Sequence, residues 1–188
     1  MATDTLSDVL HTVRLTGAVF FDIECSSPWA EASPHGDLIR SKVLPGVQHL
    51  IAYHMITEGE CWGGLLDAPP LRLNAGDILI FPHGDPHVLA SAPDRKAVPD
   101  MNNYTPPVRA QLPVSVRSGS GASASAHLVC GFLGCDVRPF NPLISALPRI
   151  LLISDRTGSQ PGWWQRCSVL TLTSGCMPRR PRLVITGC

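Results

Sequence analysis

His54 and Glu58 stand four residues apart, and His87 follows at the end of a turn-rich stretch that also carries His83. Imidazole nitrogens and a carboxylate oxygen suit a borderline divalent metal such as zinc, iron, nickel or manganese. His54, Glu58 and His87 are therefore a candidate metal set, which Cys25, Cys61, His83 or Cys130 would complete. On a straight strand His54 and Glu58 would lie about 13 Å apart, so they share a metal only if the chain bends at Thr57-Glu58-Gly59-Glu60. The same residues fit a second role, with His54 and His87 as hydrogen-bonded interior histidines and Glu58 as a turn residue. His83 and Asp85 flank a glycine, where His83 is a candidate effector contact and turn chemistry alone accounts for Asp85. Cys130 and Cys135 are candidate redox sensors if exposed and acidic, and small hydrophobes if buried.

The elements that must position these groups are short strands. Gly76-Asp77 closes one element, Ile78 to Phe81 reads as a four-residue buried strand, and Pro82, Gly84 and Pro86 force a reversal that delivers His87. In the strand Gln48 to Thr57, Leu50, Ala52, His54 and Ile56 share one face. Further strands are expected at Gly17 to Ile23, Cys61 to Leu66, Leu71 to Leu73, Val114 to Arg117 and His127 to Leu133. Residues 4–13 carry the stripe Leu6, Val9, Leu10, Val13 behind Thr3 or Asp4, which predicts a short amphipathic N-terminal helix. Asn141 to Ile150 predicts a C-terminal helical segment interrupted by Pro148. The region around Pro28, Pro34 and Gly36 reads as a loop, and residues 92–126 as mostly loops.

The 18 prolines and 16 glycines among 188 residues favour such an all-β chain, and 44% hydrophobic residues are enough for a core. Zero formal net charge argues against a surface that grips nucleic acid or anionic membrane by itself. With no long apolar run and no signal-peptide pattern, no membrane span and a cytoplasmic location are expected. Seven irregularly spaced cysteines form neither a disulfide framework nor a paired Cys-x-x-Cys zinc site. No Ser-His-Asp order, phosphate loop or helix-turn-helix is legible.

The spacing from Gly76 through Pro82 and Gly84 to His87 resembles the second signature of the cupin barrel, with Ser91 in place of its last asparagine. Gly46, His54, Glu58 and a glycine at 63 or 64 resemble the first signature, with Ala52 in place of its leading histidine. The segments LSDVLHTVRLTGAVFFD (6–22), HLIAYHMITEGECWGGL (49–65), LRLNAGDILIFPHGDPHVLASAP (71–93) and HLVCGFLGCDVRPFNPLISALPRILLI (127–153) are similar to the N-terminal sensing domain of AraC-type bacterial transcriptional regulators. The resemblance implies an all-β jelly-roll, double-stranded cupin barrel over residues 1–153. It also implies a small-molecule effector in a pocket at His54, Glu58, His83 and His87, and pairing as a homodimer or with a full-length regulator. In that family a pair of helix-turn-helix motifs reads promoter DNA. Residues 154–188 are expected to be an atypical, poorly structured tail, too short for that reader, so the chain reads as truncated or frameshifted before its DNA-binding domain. A sensor that is not an enzyme is the reading this implies. A metal-dependent cupin enzyme of the dioxygenase or isomerase type is the alternative, and a fragment that only dimerises with an intact regulator is a third.

Overall fold

A computed structural model describes residues 16–104, 112–135 and 142–154. Along the described chain run β1 (Thr16–Ser26), β2 (Ala30–Ser33), α1 (Gly36–Val43), β3 (His49–Leu65), β4 (Leu71–Asn74), β5 (Ile78–Phe81) and β6 (His87–Ala90). A 3-10 turn (Met101–Tyr104), β7 (Val114–Gly119), β8 (Ala126–Cys135), α2 (Pro142–Ala146) and β9 (Leu151–Ile153) complete it. The all-β expectation holds. The helix expected over 4–13 and the tail from residue 155 onward lie outside the described residues.

The strands form one curled mixed sheet, in the order β2-β6-β3-β8-β1-β7, with β4 and β5 added on β3 and β9 on β5. β3 holds the curl together. Its first half pairs with β5 and β8, and its second half with β4 and β6. A bulge between Ile56 and Glu58 lies between the two halves. Before the bulge the even positions Leu50, Ala52, His54 and Ile56 are buried, and after it the odd positions Cys61, Gly63 and Leu65 are. One extra residue in a period-two strand exchanges its faces. Two strands were expected here, and the bulge makes them one strand of 17 residues.

At Gly76 the turn is closed by Asp77, whose side chain accepts the Asn74 N–H at 2.8 Å, while Gly76 N–H donates to Ile56 O at 2.8 Å. Ile78–Phe81 is the strand expected, with Leu79 and Phe81 fully buried. The following reversal is anchored from outside: His49 Nε2 donates to Pro82 O at 2.6 Å, and Gly36 N–H to Gly84 O at 2.8 Å.

Four elements were not foreseen. The expected loop near Pro34 contains β2 and then α1, capped by His35 Nδ1 accepting from Asp37 N–H and packed through Ile39 and Val43. The 3-10 turn at Met101–Tyr104 buries Tyr104 in the core. At the C-terminal end the helix stops at Ala146, ahead of Pro148, since proline cannot extend an α-helix without clash. The chain then adds β9 to β5 as an edge strand. No described helix is long and apolar enough to cross a membrane.

Candidate functional site

The curl encloses a cavity of about 270 Å³. Alternate residues of the inner faces build its walls: Phe21, Ile23 and Cys25 from β1, Val114 and Val116 from β7, and Leu128, Cys130 and Phe132 from β8. Phe20 lines it as well as its neighbour Phe21, because β1 shifts register between Val19 and Phe21 and a bulge re-aims a side chain. Trp29, Glu31 and Ser33 alternate inward from the short run between Pro28 and Pro34. Tyr104 closes one side and donates its hydroxyl proton to Ser33 Oγ at 3.0 Å.

Two of the predicted site residues meet in this interior. His54 on β3 and His87 on β6 are both buried, with their Nε2 atoms 2.7 Å apart. The rest of the contact chain fixes where the protons lie. His87 Nδ1 is 2.7 Å from Asp85 O, a carbonyl that only accepts, so Nδ1 carries the proton and Nε2 of the neutral ring accepts. His54 must then donate from its own Nε2, which leaves its Nδ1 as an acceptor. Cys130 Sγ lies 2.8 Å from that Nδ1 and donates its S–H. The result is a directed chain of neutral groups, from Cys130 through His54 and His87 to the Asp85 carbonyl. Phe81 stacks on His87, with centroids 3.8 Å apart and planes 10° from parallel, which holds the ring's orientation.

The electrostatics agree with a neutral chain. Burial, followed by the neighbouring His87, holds the His54 imidazole well below its ordinary pKa. Burial pulls His87 down to about 4, against the opposing pull of the Asp85 carbonyl and carboxylate. Burial also lifts the Cys130 thiol well above its ordinary value, and Cys25, Cys61, Glu31 and Asp22 add to that. A redox-sensing thiolate needs the reverse conditions. Cys130 and Cys135 are both buried, and five strand positions separate them by roughly 16 Å. The structure therefore does not bring them together as a redox pair.

Glu58 does not join the histidines. The β3 bulge turns it outward, where it is exposed and paired in register with His127. His83 is not in the cavity either: its Nε2 donates to Leu147 O at 2.9 Å. Asp85, two residues on, is bridged to Arg149 at 2.9 Å, so this side of the turn holds the segment after α2. Of the four expected pocket residues, His54 and His87 line the cavity, whereas Glu58 and His83 lie outside it.

This arrangement does not fit the metal set expected from the sequence. Two imidazole nitrogens bound to one tetrahedral zinc, each about 2 Å from it, stand about 3.3 Å apart, whereas these lie 2.7 Å apart and share a proton. The carboxylate that would complete the set faces away, and Cys130 is on the far nitrogen of His54. Among the described residues no group of three His, Cys, Asp or Glu side chains is placed to hold a metal ion.

Sequence reasoning missed Glu31, Tyr104 and the wall of phenylalanines. The alternation Trp29-Ala30-Glu31-Ala32-Ser33 between two prolines was the available signal for β2. Tyr104 sits in a stretch without periodicity, and nothing local marks it.

A family model described as Cupin matches residues 4–173 of the chain. No curated protein matches the sequence. Among solved structures, YhaK from Escherichia coli is similar at 11% identity with a TM-score of 0.36, covering 79% of this chain. The chain spans 45% of that protein's length.

Proposed function

The chain belongs to the cupin family, and from that premise we propose that it is the effector-binding and dimerisation unit of an AraC-type transcriptional regulator, acting in the cytoplasm as a sensor and not as a catalyst. One observation carries the reading. The inward-facing strand residues enclose a largely apolar cavity, and the two signature histidines at its wall are tied to each other. A closed hydrogen-bonded chain of neutral groups shapes a binding site without supplying a nucleophile or base. Ligand cavities of this type are lined by apolar and aromatic groups with few polar anchors, and here Glu31, Ser33 and the histidines are such anchors. The AraC-type assignment rests on the resemblance of the PHGDPH turn and the CGFLGCD segment. Fold alone would not distinguish regulator from enzyme.

In this reading a small molecule in the cavity biases the geometry of a dimer. It does so by binding one arrangement of β1, β7 and the 3-10 turn better than another. Promoter DNA would be read by a helix-turn-helix domain and not by the cupin unit.

The test is a thermal-shift screen of small organic molecules against the wild-type chain and Val116→Trp, which fills the cavity. Compounds that raise the wild-type midpoint and leave Val116→Trp unmoved support the reading, and sedimentation velocity with those compounds then reports the shift in association. Compounds that stabilise both proteins equally act elsewhere and contradict it.

A further inference from the structure

The cavity's chemistry narrows what it takes, given that the effector-cavity reading holds. Among the described residues that line it, Glu31 is the one side chain with a formal charge, and none is lysine or arginine. The two imidazoles are neutral members of the hydrogen-bonded chain and offer no cation. Glu31 is held in place rather than free to swing: Ser118 Oγ on β7 donates to its Oε1. β2 and β7 are the two ends of the strand order, so this bond joins the ends of the curled sheet. The second carboxylate oxygen has no donor among the described residues. A fixed, half-buried carboxylate with one unused oxygen, on a wall whose other polar groups (Ser33, Asn102, Asn103 and the two imidazoles) are neutral, calls for a positively charged donor from the ligand.

Aromatic rings supply the second, independent feature. Phe20 and Phe132 meet edge to face at 5.3 Å, Phe132 and Tyr104 at 6.2 Å, and Tyr104 and Phe21 at 6.1 Å. All four rings line the cavity, so they form one continuous aromatic wall. Ring faces attract cations, and aromatic walls recognise organic ammonium ions. An anionic ligand would meet the Glu31 charge with nothing among the described lining residues to neutralise it. A polyol would find amide partners only at the exposed Asn102 and Asn103, leaving its other hydroxyls against phenylalanine and valine.

We propose that this cavity selects a small organic cation, whose ammonium group meets the Glu31 carboxylate and whose apolar body packs on Phe20, Phe21, Tyr104 and Phe132, and that it rejects carboxylates of the same shape.

Three probes of one size test this: benzylamine, benzyl alcohol and benzoate, titrated calorimetrically into the wild-type chain, Glu31→Gln and Val116→Trp at pH 7. The expected order on the wild type is benzylamine tighter than benzyl alcohol by about tenfold or more, with benzoate weakest. Glu31→Gln is expected to remove the preference for the amine and to leave benzyl alcohol within about threefold. Benzoate binding as tightly as benzyl alcohol, or an amine preference that survives in Glu31→Gln, overturns the charge assignment while leaving the effector cavity standing. If none of the three binds the wild type better than Val116→Trp, the effector-cavity reading falls and the assignment falls with it. The wild-type order alone decides the matter should Glu31→Gln fail to fold.

Discussion

His54 Nε2 lies 2.7 Å from His87 Nε2, across the join between the two halves of the curled sheet. The backbone carbonyl of Asp85 orients His87, and through it His54, and through that Cys130. Each ring therefore has its two nitrogens committed to protein partners. That commitment gives the cavity its neutral wall and leaves Glu31 to set its charge.

Stability should fall as the pH drops from neutrality. An ordinary histidine titrates near 6.5, and His87 in the fold near 4. Above pH 6.5 the ring is neutral folded or unfolded. Below it the unfolded chain takes up a proton that the folded barrel refuses, so stability is lost progressively until the folded ring protonates near pH 4. The loss from His87 alone amounts to about 3 kcal/mol, and His54, shifted the same way, adds to it. Urea unfolding midpoints between pH 7.5 and 4 measure this, and His87→Gln should flatten the slope. A wild-type midpoint that stays level across that range contradicts the buried neutral pair.

Much of the framework was legible from residue types. Strand periodicity identified Leu50, Ala52, His54 and Ile56 as one inner face, and the glycine–proline punctuation located Ile78–Phe81 and the arrival of His87. Glu58 was drawn to the site by its match to the first cupin signature and an expected bend at Thr57 to Glu60. The chain instead bulges there, in a register fixed by pairing with β8, and Glu58 faces outward. Thr57 is held at that bulge by donating its hydroxyl to His127 O at 3.0 Å, a partner 70 residues away in sequence. Glu31 and Tyr104 are likewise placed by long-range contacts, with Ser118 and Ser33. No local pattern carries such information.

The described cysteines should be unreactive in the folded chain. Cys25 and Cys61 are raised to about 12, by burial first and then by Cys61 and Glu31 beside Cys25 and by Asp77 and Glu60 beside Cys61, and burial raises Cys130 well above its ordinary value too. Alkylation with iodoacetamide at pH 8, mapped by mass spectrometry, should label Cys25, Cys61, Cys130 and Cys135 only as fast as the protein opens. Rapid labelling of Cys130 in the native state would show a thiolate and restore its redox role.

Removing the thiol donor should leave His54 Nδ1 buried without a partner. Cys130→Ala is expected to cost about 1–3 kcal/mol, and Cys130→Ser, which keeps a donor, less. Denaturation midpoints of the two variants compare them directly. Equal losses would mean that packing rather than the hydrogen bond sets the cost.

Two glycines with positive φ should behave differently. Gly59 has φ 72°, and a Cβ there would come 2.1 Å from Ser125 O, so Gly59→Ala must displace the β3–β8 join. Gly76 has φ 95° with nothing within 4 Å of its Cβ, so Gly76→Ala bears backbone strain alone, about 1–2 kcal/mol. Thermal midpoints should therefore drop much further for Gly59→Ala. A larger drop for Gly76→Ala would contradict the register assigned to the bulge.

Glu58, exposed on the outer face, should be replaceable. Glu58→Gln is expected to shift stability by less than about 0.5 kcal/mol, and to leave the metal content of protein purified without a His-tag unchanged. A fall in bound zinc, iron, nickel or manganese in that variant, read by elemental analysis, would return Glu58 to the site.

The most direct measurement of the central claim is the proton position on each ring, read from long-range ¹H–¹⁵N correlations of histidine-labelled protein at pH 7. The account predicts two neutral rings of opposite tautomer, His54 protonated at Nε2 and His87 at Nδ1. A pattern in which both rings carry their proton at Nδ1 and present bare Nε2 atoms, as two ligands of one metal would, contradicts it.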